Sequence, residues 1–526
     1  MSSRTCDSGG PRGRRRPGAA GRRPRSRARG SEVVRPCAKP ATRLRADVAR
    51  SRPGVLTVAP VHLSPEFLTA ASGGRLLRRG TREIAGAFLD SREPVPGGLF
   101  VPIVAARDGH QFIPDAIAAG AAAVLTMPGR ALPDGDVTVV EVADTTAALA
   151  ALGRAARDRC AGPVVAISGS NGKTTTRAMI EAVVRTRYDR VLATRGNFNN
   201  HLGVPLSLLG GPDAPEAIVL ELGMSAPGEN GHLAGIVRPD VAVITSVALE
   251  HLEFMGSLEA IAAAEAEPLA HVRPGGVAVA PDDEPTLAPH LRAREGLEIL
   301  RFGEGPDAAV QVVGVELDER THATLRLRMA ARPEEIRISL QVFGAHNARN
   351  AAAALTVGLH LGCPVGAMIE ALESVRPVGD RGRVLHFHPH HLLIADCYNA
   401  NPGSVAAALR SLAALRSARP GPLVAVIGDM LELGPTAPEL HAEVGRLAAA
   451  LRLDALFTFG ALSQAATEAA KAGGIPAWHA GLGVADLVAA VRAAFDERPG
   501  ALLVKGSRGM KLERVVAALL EPAPAG

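Results

Sequence analysis

A glycine-rich turn, which follows the apolar run 164–167 and passes into a helix-like pattern, has the residues of a phosphate-binding loop. Glycines let successive backbone N–H groups face one anion, and the start of a helix adds the positive end of its dipole. Lys173 is placed to contact the outer phosphates of a nucleotide, and Thr174 to contact magnesium. Because Ile167 stands where the strict P-loop spacing has a glycine, we predict a variant of that loop. Its residues are Gly169, Ser170, Asn171, Gly172, Lys173, Thr174 and Thr175.

An acidic residue and a histidine come directly after two other apolar runs. Glu221 ends the run 217–222, and His251 follows the run 241–247. In a parallel sheet both residues lie at the carboxyl edge, beside the phosphate-binding loop. A carboxylate is a hard ligand for Mg²⁺, and an imidazole can complete a second cation site. We therefore predict metal chemistry at this edge.

Alternating strands and helices are predicted to position these groups. In residues 159–377 apolar strand patterns alternate with helical stretches, which favours a mostly parallel sheet with helices on both faces. A second, Rossmann-like α/β unit follows in residues 378–526, and residues 59–158 predict an N-terminal α/β module. The expected fold class is α/β with three domains.

The basic character of the chain comes from its N-terminal segment. The net charge of the 526 residues is +5, but residues 1–54 contribute +13, so the remainder carries −8. That segment is rich in Arg, Gly, Pro and Ser and has too few apolar residues to form a core, so we predict a disordered basic leader over residues 1–58. A nucleic-acid-binding arm is the alternative, although no nucleic-acid partner is expected.

Cysteine spacing and hydropathy indicate the compartment. The five cysteines form no CxxC pair, which argues against a zinc site or a disulfide framework and predicts a reducing cytoplasm. No run of 18 apolar residues is present, so no membrane span is predicted.

The chain resembles the Mur ligase family over residues 60–520. The N-terminal motifs are similar to those of the family module that holds a UDP sugar. The runs 398–402 and 505–508 separate one kind of member from its sister ligases, the kind that joins D-alanyl-D-alanine to a UDP-N-acetylmuramoyl-tripeptide. The matching runs are 90–92, 98–101, 108–110, 169–176, 196–200, 221–223, 251–253, 344–347, 396–402, 428–434 and 505–508.

The resemblance implies an ATP-dependent amide ligase of peptidoglycan precursor synthesis. ATP phosphorylates a carboxylate of the tripeptide, and the amine of D-alanyl-D-alanine attacks the resulting acyl phosphate. ATP and Mg²⁺ are the expected cofactors, and the tripeptide and dipeptide are the expected partners of a monomeric enzyme. Because the site is split between domains, closure on binding is expected to exclude water.

The same resemblance implies a role for individual residues. The expected catalytic residues are Lys173, His251 and Glu265. The expected metal ligands are Thr174, Glu221, His251 and Glu265. Nucleotide contacts beyond the loop are expected from Asn347, Asn350, Asp396 and Arg383, with Arg381 as the alternative to Arg383. The expected substrate-binding residues are Ser91, Arg92, Asn199, Asn200, Asn399, Asn401, Lys505, Ser507 and Arg508.

One position departs from the family pattern. The family has an Ala-Lys-x-Glu run whose lysine is carbamylated and contacts magnesium, but this chain has Ala264-Glu265-Ala266-Glu267. We interpret Glu265 as a native carboxylate in place of the carbamylated lysine. Its arm is three bonds shorter, a deficit of roughly 3–4 Å, so that either the helix lies closer or a water molecule bridges. The alternative is that the position has lost its role.

Two other functions remain open. One is a Mur-type or folylpolyglutamate-type ligase with a different amine acceptor, against which the run 398–402 argues. The other is a non-catalytic nucleotide-binding protein, suggested by the basic leader and the missing lysine. The third residue of the tripeptide is also open.

Overall fold

The computed structural model describes residues 61–521 except 330–332 and 389, so the predicted leader lies outside the described residues. Within the described part, an N-terminal sheet has the strand order β1-β5-β4-β3-β2, with β1 and β5 antiparallel and the other pairs parallel. Its strands are β1 Arg75–Arg78, β2 Ala87–Phe88, β3 Leu99–Phe100, β4 Ala123–Thr126 and β5 Thr138–Glu141. The helices around it are α1 Pro65–Ser72, α2 Ile113–Ala118 and α3 Thr145–Arg157.

The central sheet of the described chain has the order β14-β13-β12-β11-β10-β9-β6-β8-β7. Pairing is parallel from β7 to β12 and antiparallel from β12 to β14. Its strands are β6 Val164–Ser168, β7 Val191–Ala193, β8 Ala217–Glu221, β9 Val241–Ile244, β10 Val277–Pro281, β11 Glu298–Gly303, β12 Val310–Leu317, β13 Thr321–Leu327 and β14 Glu334–Leu340. Its helices are α4 Lys173–Val184, α5 Gly203–Leu209, α6 Glu229–Val237, α7 Leu252–Met255, α8 Leu258–Ala266, α9 Ala288–Arg292, α10 His346–His360 and α11 Val365–Ser374.

The C-terminal sheet has the order β15-β16-β20-β17-β18-β19, with β15 antiparallel and the other strands parallel. Its strands are β15 Arg383–Phe387, β16 His391–Asp396, β17 Leu423–Gly428, β18 Ala455–Phe459, β19 Ala477–His479 and β20 Ala501–Lys505. Its helices are α12 Pro402–Ala414, α13 Ala437–Ala450, α14 Gln464–Ala472, α15 Val484–Ala493 and α16 Glu513–Leu520.

Strand β6 shows why the central strands are apolar throughout. Val165 and Ile167 pack into one core cluster with Met179 of α4, whereas Val164 and Ala166 pack into another on the opposite face. Successive side chains of a strand point to opposite faces, so a strand covered on both sides needs a continuous apolar run. The predicted α/β class, with a mostly parallel central sheet between helical layers, is confirmed.

Parallel pairing brings the functional segments to shared edges. β6, β8 and β9 are neighbours, so the phosphate-binding loop, Glu221 and the segment after β9 meet at one carboxyl edge. In the C-terminal sheet, Asp396 at the end of β16 lies opposite Lys505 at the end of β20. Among the helices of the described residues, none has the length and apolar character required to cross a membrane.

Candidate active site

The phosphate-binding loop depends on its two glycines. Gly169 has φ +121° and Gly172 has φ +84°, both in the region that favours glycine. A Cβ on Gly169 would lie 2.2 Å from Oγ1 of Thr245, and one on Gly172 would lie 2.7 Å from Oδ1 of Asn350. Helix α4 begins at Lys173, so its N-terminal N–H groups face the loop.

The segment after β9 fixes the shape of this loop. Ser170 N–H donates to the Ser246 carbonyl at 2.8 Å, and Asn171 N–H donates to Ser246 Oγ at 3.0 Å. In return Ala248 N–H donates to Ser170 Oγ at 2.9 Å. The loop is therefore pre-organised by residues about 75 positions further along the chain.

Lys173 lies among acidic groups. Its Nζ donates to the Gly169 carbonyl and lies 3.6 Å from Oε1 of Glu250, which is 6% exposed. Burial by itself lowers the pKa of Lys173, but the carboxylates of Glu250, Glu265 and Glu221 outweigh burial and raise it. The ammonium is therefore held in its charged form beside the loop.

Glu265 is fully buried at the end of α8, against the phosphate-binding loop. Its Oε2 accepts hydrogen bonds from Gly169 N–H at 2.7 Å and from Asn230 Nδ2 at 3.0 Å, while Ser168 Oγ donates to its backbone carbonyl at 2.8 Å. Burial raises the pKa of Glu265 to about 8, with Lys173 opposing the rise. The shorter arm reaches the loop directly because α8 lies close to it.

Glu221 lies on the other side of the loop. It is 3% exposed, and its Oε1 accepts a hydrogen bond from Asn199 Nδ2 at 2.8 Å. Its Oε2 and the Oε1 of Glu265 are buried without a hydrogen-bond partner. Buried carboxylate oxygens of this kind are costly unless a cation or donor meets them, so both fit a divalent cation.

Mg²⁺ would need further ligands at this site. Within the described residues, no three His, Cys, Asp or Glu side chains converge to hold a metal by themselves. Protein sites for Mg²⁺ usually provide one or two carboxylates, with phosphate and water oxygens completing the shell. Thr174, buried at the start of α4, provides a hydroxyl of the same type.

His251 faces the C-terminal part of the chain. Its Nδ1 contacts Oε2 of Glu432, and Glu253 N–H donates to the Glu432 carbonyl at 3.2 Å. Both partners have left-handed backbones, with φ +49° at His251 and +64° at Glu432. Such conformations are uncommon for residues other than glycine and concentrate at functional sites.

A second contact joins the C-terminal part of the chain to the phosphate-binding loop of the central part. Asn401 Nδ2 donates to Asn171 Oδ1 at 2.9 Å. The Oδ1 of Asn401 accepts from Ser404 N–H at 2.8 Å and caps α12, so the Asn401 amide makes both contacts at once. The carboxyl edge of the C-terminal sheet is thereby held beside the phosphate-binding loop.

The other residues predicted to contact nucleotide fall into two groups. Asn347 and Asn350 are buried and hydrogen-bonded to each other at 2.9 Å, and Asn350 also lies against Gly172. Asp396 pairs with the buried Lys505 at 2.7 Å. Arg383 is exposed and pairs with Asp380 at 2.8 Å, within its own turn.

The residues predicted to bind substrate are spread over all three sheets. Ser91 and Arg92 lie in a loop of the N-terminal sheet, where Arg92 pairs with Asp90. Asn200 lines a cleft of about 350 Å³. Gly223, which lies two residues after Glu221, lines the same cleft. Asn199 also lies in the central part, against Glu221. The five C-terminal residues lie at the carboxyl edge of their sheet, where Lys505 Nζ donates to the Asn399 carbonyl at 2.9 Å and Ser507 Oγ accepts from Leu431 N–H at 3.0 Å. Arg508 is exposed there.

Three residues of the site were missed in the sequence. Glu250 directly precedes the predicted His251, so its position after β9 was an available signal. Asn230 lies on α6 and Glu432 lies after β17, and each meets its partner only through the tertiary fold. No local pattern marks Asn230, whereas Glu432 lies in the run 428–434 that resembles the family but was given no role.

Family models match two long stretches of this site. The Mur ligase middle domain matches residues 167–358, and the Mur ligase glutamate ligase domain matches residues 381–508. The chain belongs to the Mur ligase family. It is an ATP-dependent ligase with the α/β fold of that family.

Individual relatives are similar over most of their length. A UDP-N-acetylmuramoyl-tripeptide–D-alanyl-D-alanine ligase of Bacillus subtilis (strain 168) is 35% identical over 444 residues, which cover 83% of this chain and 93% of that protein. The crystal structure of MurF from Acinetobacter baumannii has a TM-score of 0.79 at 30% identity and covers 88% of this chain and all of the other. The MurF ligase of Thermotoga maritima in complex with ADP has a TM-score of 0.72 at 29% identity, with 84% and 97% covered. The ADP complex supports nucleotide binding in this Mur ligase fold.

Proposed function

We propose that this Mur ligase adds D-alanyl-D-alanine to a UDP-N-acetylmuramoyl-tripeptide in the synthesis of peptidoglycan precursors. The supporting observation is the contact of Asn401 with Asn171, which sets the edge bearing the runs 398–402 and 505–508 against the phosphate-binding loop. The named relatives with this specificity match the chain over nearly their whole length. The cytoplasm is the proposed compartment, and Cys160, Cys363 and Cys397 are free thiols in the part described. The proposed enzyme is a monomer.

The reaction requires two transfers at one place. An oxygen of the tripeptide carboxylate attacks the γ-phosphorus of ATP, and ADP leaves. The amine of D-alanyl-D-alanine then attacks the carbonyl carbon of the acyl phosphate, inorganic phosphate leaves with the bridging oxygen, and the amine loses a proton. Lys173 and the N–H groups at the start of α4 offset the charge on the transferring phosphoryl group.

The proposed ligands, divided between two Mg²⁺ sites, are Thr174, Glu221, His251 and Glu265. The two buried carboxylate oxygens without partners support the choice of Glu221 and Glu265. Mg²⁺ would neutralise phosphate charge when bound. The imidazole of His251 is held by its contact with Glu432 on the C-terminal side.

Glu265 is proposed to act as a native carboxylate in place of a carbamylated lysine. Because its pKa is raised to about 8, it would be ionised near neutral pH when a cation binds beside it. Its direct hydrogen bond to the loop at Gly169 supports this role, because no longer arm is needed to reach the phosphate region. Carbamylation requires dissolved CO₂ and a free amine, whereas a glutamate needs neither. The proposed enzyme is therefore active without bicarbonate.

Substrate binding is proposed to involve all three sheets. Ser91 and Arg92 would contact the UDP sugar, and Asn199 and Asn200 would lie beside the peptide carboxylate. Asn347, Asn350, Arg383 and Asp396 are the proposed nucleotide contacts outside the loop. Asn399, Asn401, Lys505, Ser507 and Arg508 would form the dipeptide side of the site. The domain limits 59–158, 159–377 and 378–526 remain predictions.

Release of inorganic phosphate tests this function. The full chain is incubated with ATP, Mg²⁺, a UDP-N-acetylmuramoyl-tripeptide and D-alanyl-D-alanine, with each component omitted in turn. Release is expected only when all are present, with tripeptides ending in L-lysine or meso-diaminopimelate compared side by side. Release with L-glutamate in place of the dipeptide would instead indicate a folylpolyglutamate-type acceptor, and a lack of turnover with either would indicate a non-catalytic protein.

A lysine pair provides the control for that assay. Lys173→Met should abolish phosphate release because it removes the ammonium beside the loop. Lys471→Met, an exposed change on α14, should leave release at the wild-type rate. Equal effects of the two changes would contradict the role given to Lys173.

A further inference from the structure

Two arginines and a tyrosine gather at the carboxyl edge of the C-terminal sheet. The guanidinium carbon of Arg381 lies 3.5 Å from the centre of the Tyr398 ring, and that of Arg508 lies 5.7 Å from the same centre. Tyr398 follows β16 and Arg508 follows β20, its parallel neighbour. Arg381 precedes β15, which pairs with β16 on the other side. Three separate segments thus bring these side chains together.

The charges of this cluster are only partly compensated. Among the described residues Arg381 makes no ion pair, and its Nη1 donates only a long hydrogen bond, 3.4 Å, to the Val378 carbonyl. Arg508 pairs with Glu513 at 3.4 Å, an exposed contact of little energetic value. The nearby Asp380 and Asp396 are already paired with Arg383 and Lys505. Two guanidinium groups on one ring therefore leave net positive charge at this edge.

We propose that Arg381 and Arg508, arranged by Tyr398, bind the terminal carboxylate of the incoming dipeptide. This inference rests on the proposed function and adds the site that recognises the acceptor's anionic end. Planar guanidinium groups match a carboxylate in charge and geometry, and stacking on an aromatic ring restricts their orientation.

The position of the cluster suits a dipeptide. An extended dipeptide spans about 7 Å. Tyr398 precedes Asn401 by three residues, a separation of at most about 10 Å, and Asn401 contacts the phosphate-binding loop through Asn171. A carboxylate held at Tyr398 therefore leaves the amine within reach of a carbonyl carbon beside the loop.

Arg381 and Arg508 could bind either of two anions, the carboxylate of the dipeptide or a phosphate of the nucleotide. The loop already provides Lys173 and the N-terminus of α4 for the phosphates, whereas Arg381 and Arg508 lie together on the Tyr398 ring, next to the run 398–402. The dipeptide is therefore the assignment that we test.

The test compares D-alanyl-D-alanine with D-alanyl-D-alaninamide, which lacks the negative charge. Wild-type kcat/KM should be higher for the acid by about 30-fold or more, since the amide leaves a paired guanidinium site unsatisfied. Arg381→Met should remove most of this preference by raising the KM for the acid, with the KM for ATP unchanged. Tyr398→Phe should keep the preference because the ring remains, and Tyr398→Leu should reduce it.

Arg498→Met is the matched control. Arg498 precedes β20 at the opposite edge of the same sheet and pairs with Asp496, so its loss should leave both substrates unaffected. Wild-type turnover with D-alanyl-D-alanine tests the proposed function separately from the ratio of the two dipeptides. An unchanged ratio in Arg381→Met would overturn the site. A rise confined to the KM for ATP would assign the cluster to the nucleotide instead.

Discussion

The backbone N–H of Gly169 donates a 2.7 Å hydrogen bond to the buried carboxylate of Glu265, which lies 96 positions further along the chain. This contact joins the first turn of the phosphate-binding loop to the end of α8. The carboxylate thus meets the loop directly, without a bridging group. The other oxygen of Glu265 is buried and accepts no hydrogen bond from an N–H or hydroxyl group of the described residues. Together with the neighbouring Glu250 carboxyl it fits either a shared proton or a cation.

Replacing Glu265 should show whether its carboxylate has a chemical role. We expect Glu265→Ala to lower kcat by about 100-fold or more, since the carboxylate that would hold Mg²⁺ beside the transferring phosphoryl group is lost. Wild-type turnover should be the same with and without added bicarbonate. Steady-state rates over a bicarbonate series provide the measurement.

Two further variants sharpen that comparison. Glu265→Gln keeps the size of the side chain but cannot be ionised, so it should lose activity as Glu265→Ala does, both with and without bicarbonate. Glu259→Ala removes an exposed carboxylate from the same helix and should have the wild-type rate. A fully active Glu265→Ala enzyme would show that the position has lost its role.

The contact of His251 with Glu432 predicts an effect at a distance from the substrates. Glu432→Ala removes the carboxylate that holds the imidazole from the C-terminal side, so kcat should fall by about 10-fold or more while the KM for ATP changes little. Glu432→Gln keeps a hydrogen-bond acceptor and should recover part of the rate. Glu439→Ala, an exposed change on α13, is the control. A larger effect on the KM for ATP than on kcat would argue against positioning of His251.

The capping residue Asn401 allows folding and domain contact to be separated. Asn401→Asp keeps an oxygen that caps α12 but loses the donor to Asn171, so the unfolding temperature should change little while kcat/KM for the dipeptide falls. Asn401→Ala loses both contacts and should cost about 1 kcal/mol of stability in addition. Thermal unfolding and dipeptide kinetics, measured on both variants, separate the capping of α12 from the contact with Asn171. Equal kinetics for wild type and Asn401→Asp would mean that the contact does not matter for catalysis.

The sequence predicted the parts of the site that local patterns determine. The loop from Gly169 to Lys173 and the residue Glu221 each follow an apolar strand, and parallel pairing then fixes a common edge. Long-range partners could not be predicted in this way. Asn230 lies 35 positions from Glu265, and Glu432 lies 181 positions from His251.

Two questions that the sequence left open are answered only by the three-dimensional structure. The reach of Glu265 depended on how closely α8 packs, which no pattern within α8 determines. Arg381 and Arg383 were interchangeable in the sequence, yet one stacks on Tyr398 and the other pairs with Asp380. Side-chain direction at the start of a strand is decided by its neighbours in the sheet, so the difference appears only after folding.

A buried histidine predicts how stability depends on pH. His441 Nε2 accepts from Met430 N–H at 2.9 Å, and its Nδ1 contacts the Ala437 carbonyl. Burial lowers the pKa of His441, although the Ala437 carbonyl and Asp429 oppose this. Below about pH 6.5, the ordinary histidine pKa, the unfolded chain therefore binds more protons than the folded chain, and the free energy of unfolding falls as the pH falls.

The variant His441→Gln should remove this contribution. Denaturant unfolding at pH 7.5 and pH 5.5 should show a smaller loss of stability for the variant than for the wild type. The exposed His201→Gln serves as the comparison and should lose as much as the wild type. An identical loss in all three proteins would contradict the assignment to His441.

Transfer of oxygen from the tripeptide to phosphate is the most direct test of the proposed reaction. The tripeptide is prepared with ¹⁸O in its reacting carboxylate and turned over with ATP and D-alanyl-D-alanine, and the released phosphate and the peptide product are analysed by mass. When both oxygens of that carboxylate are labelled, an acyl phosphate requires that one ¹⁸O atom appear in each phosphate and that the product gain the mass of one dipeptide less one H₂¹⁸O. Unlabelled phosphate alongside that product would contradict the acyl phosphate, and labelled phosphate without it would contradict the dipeptide as acceptor.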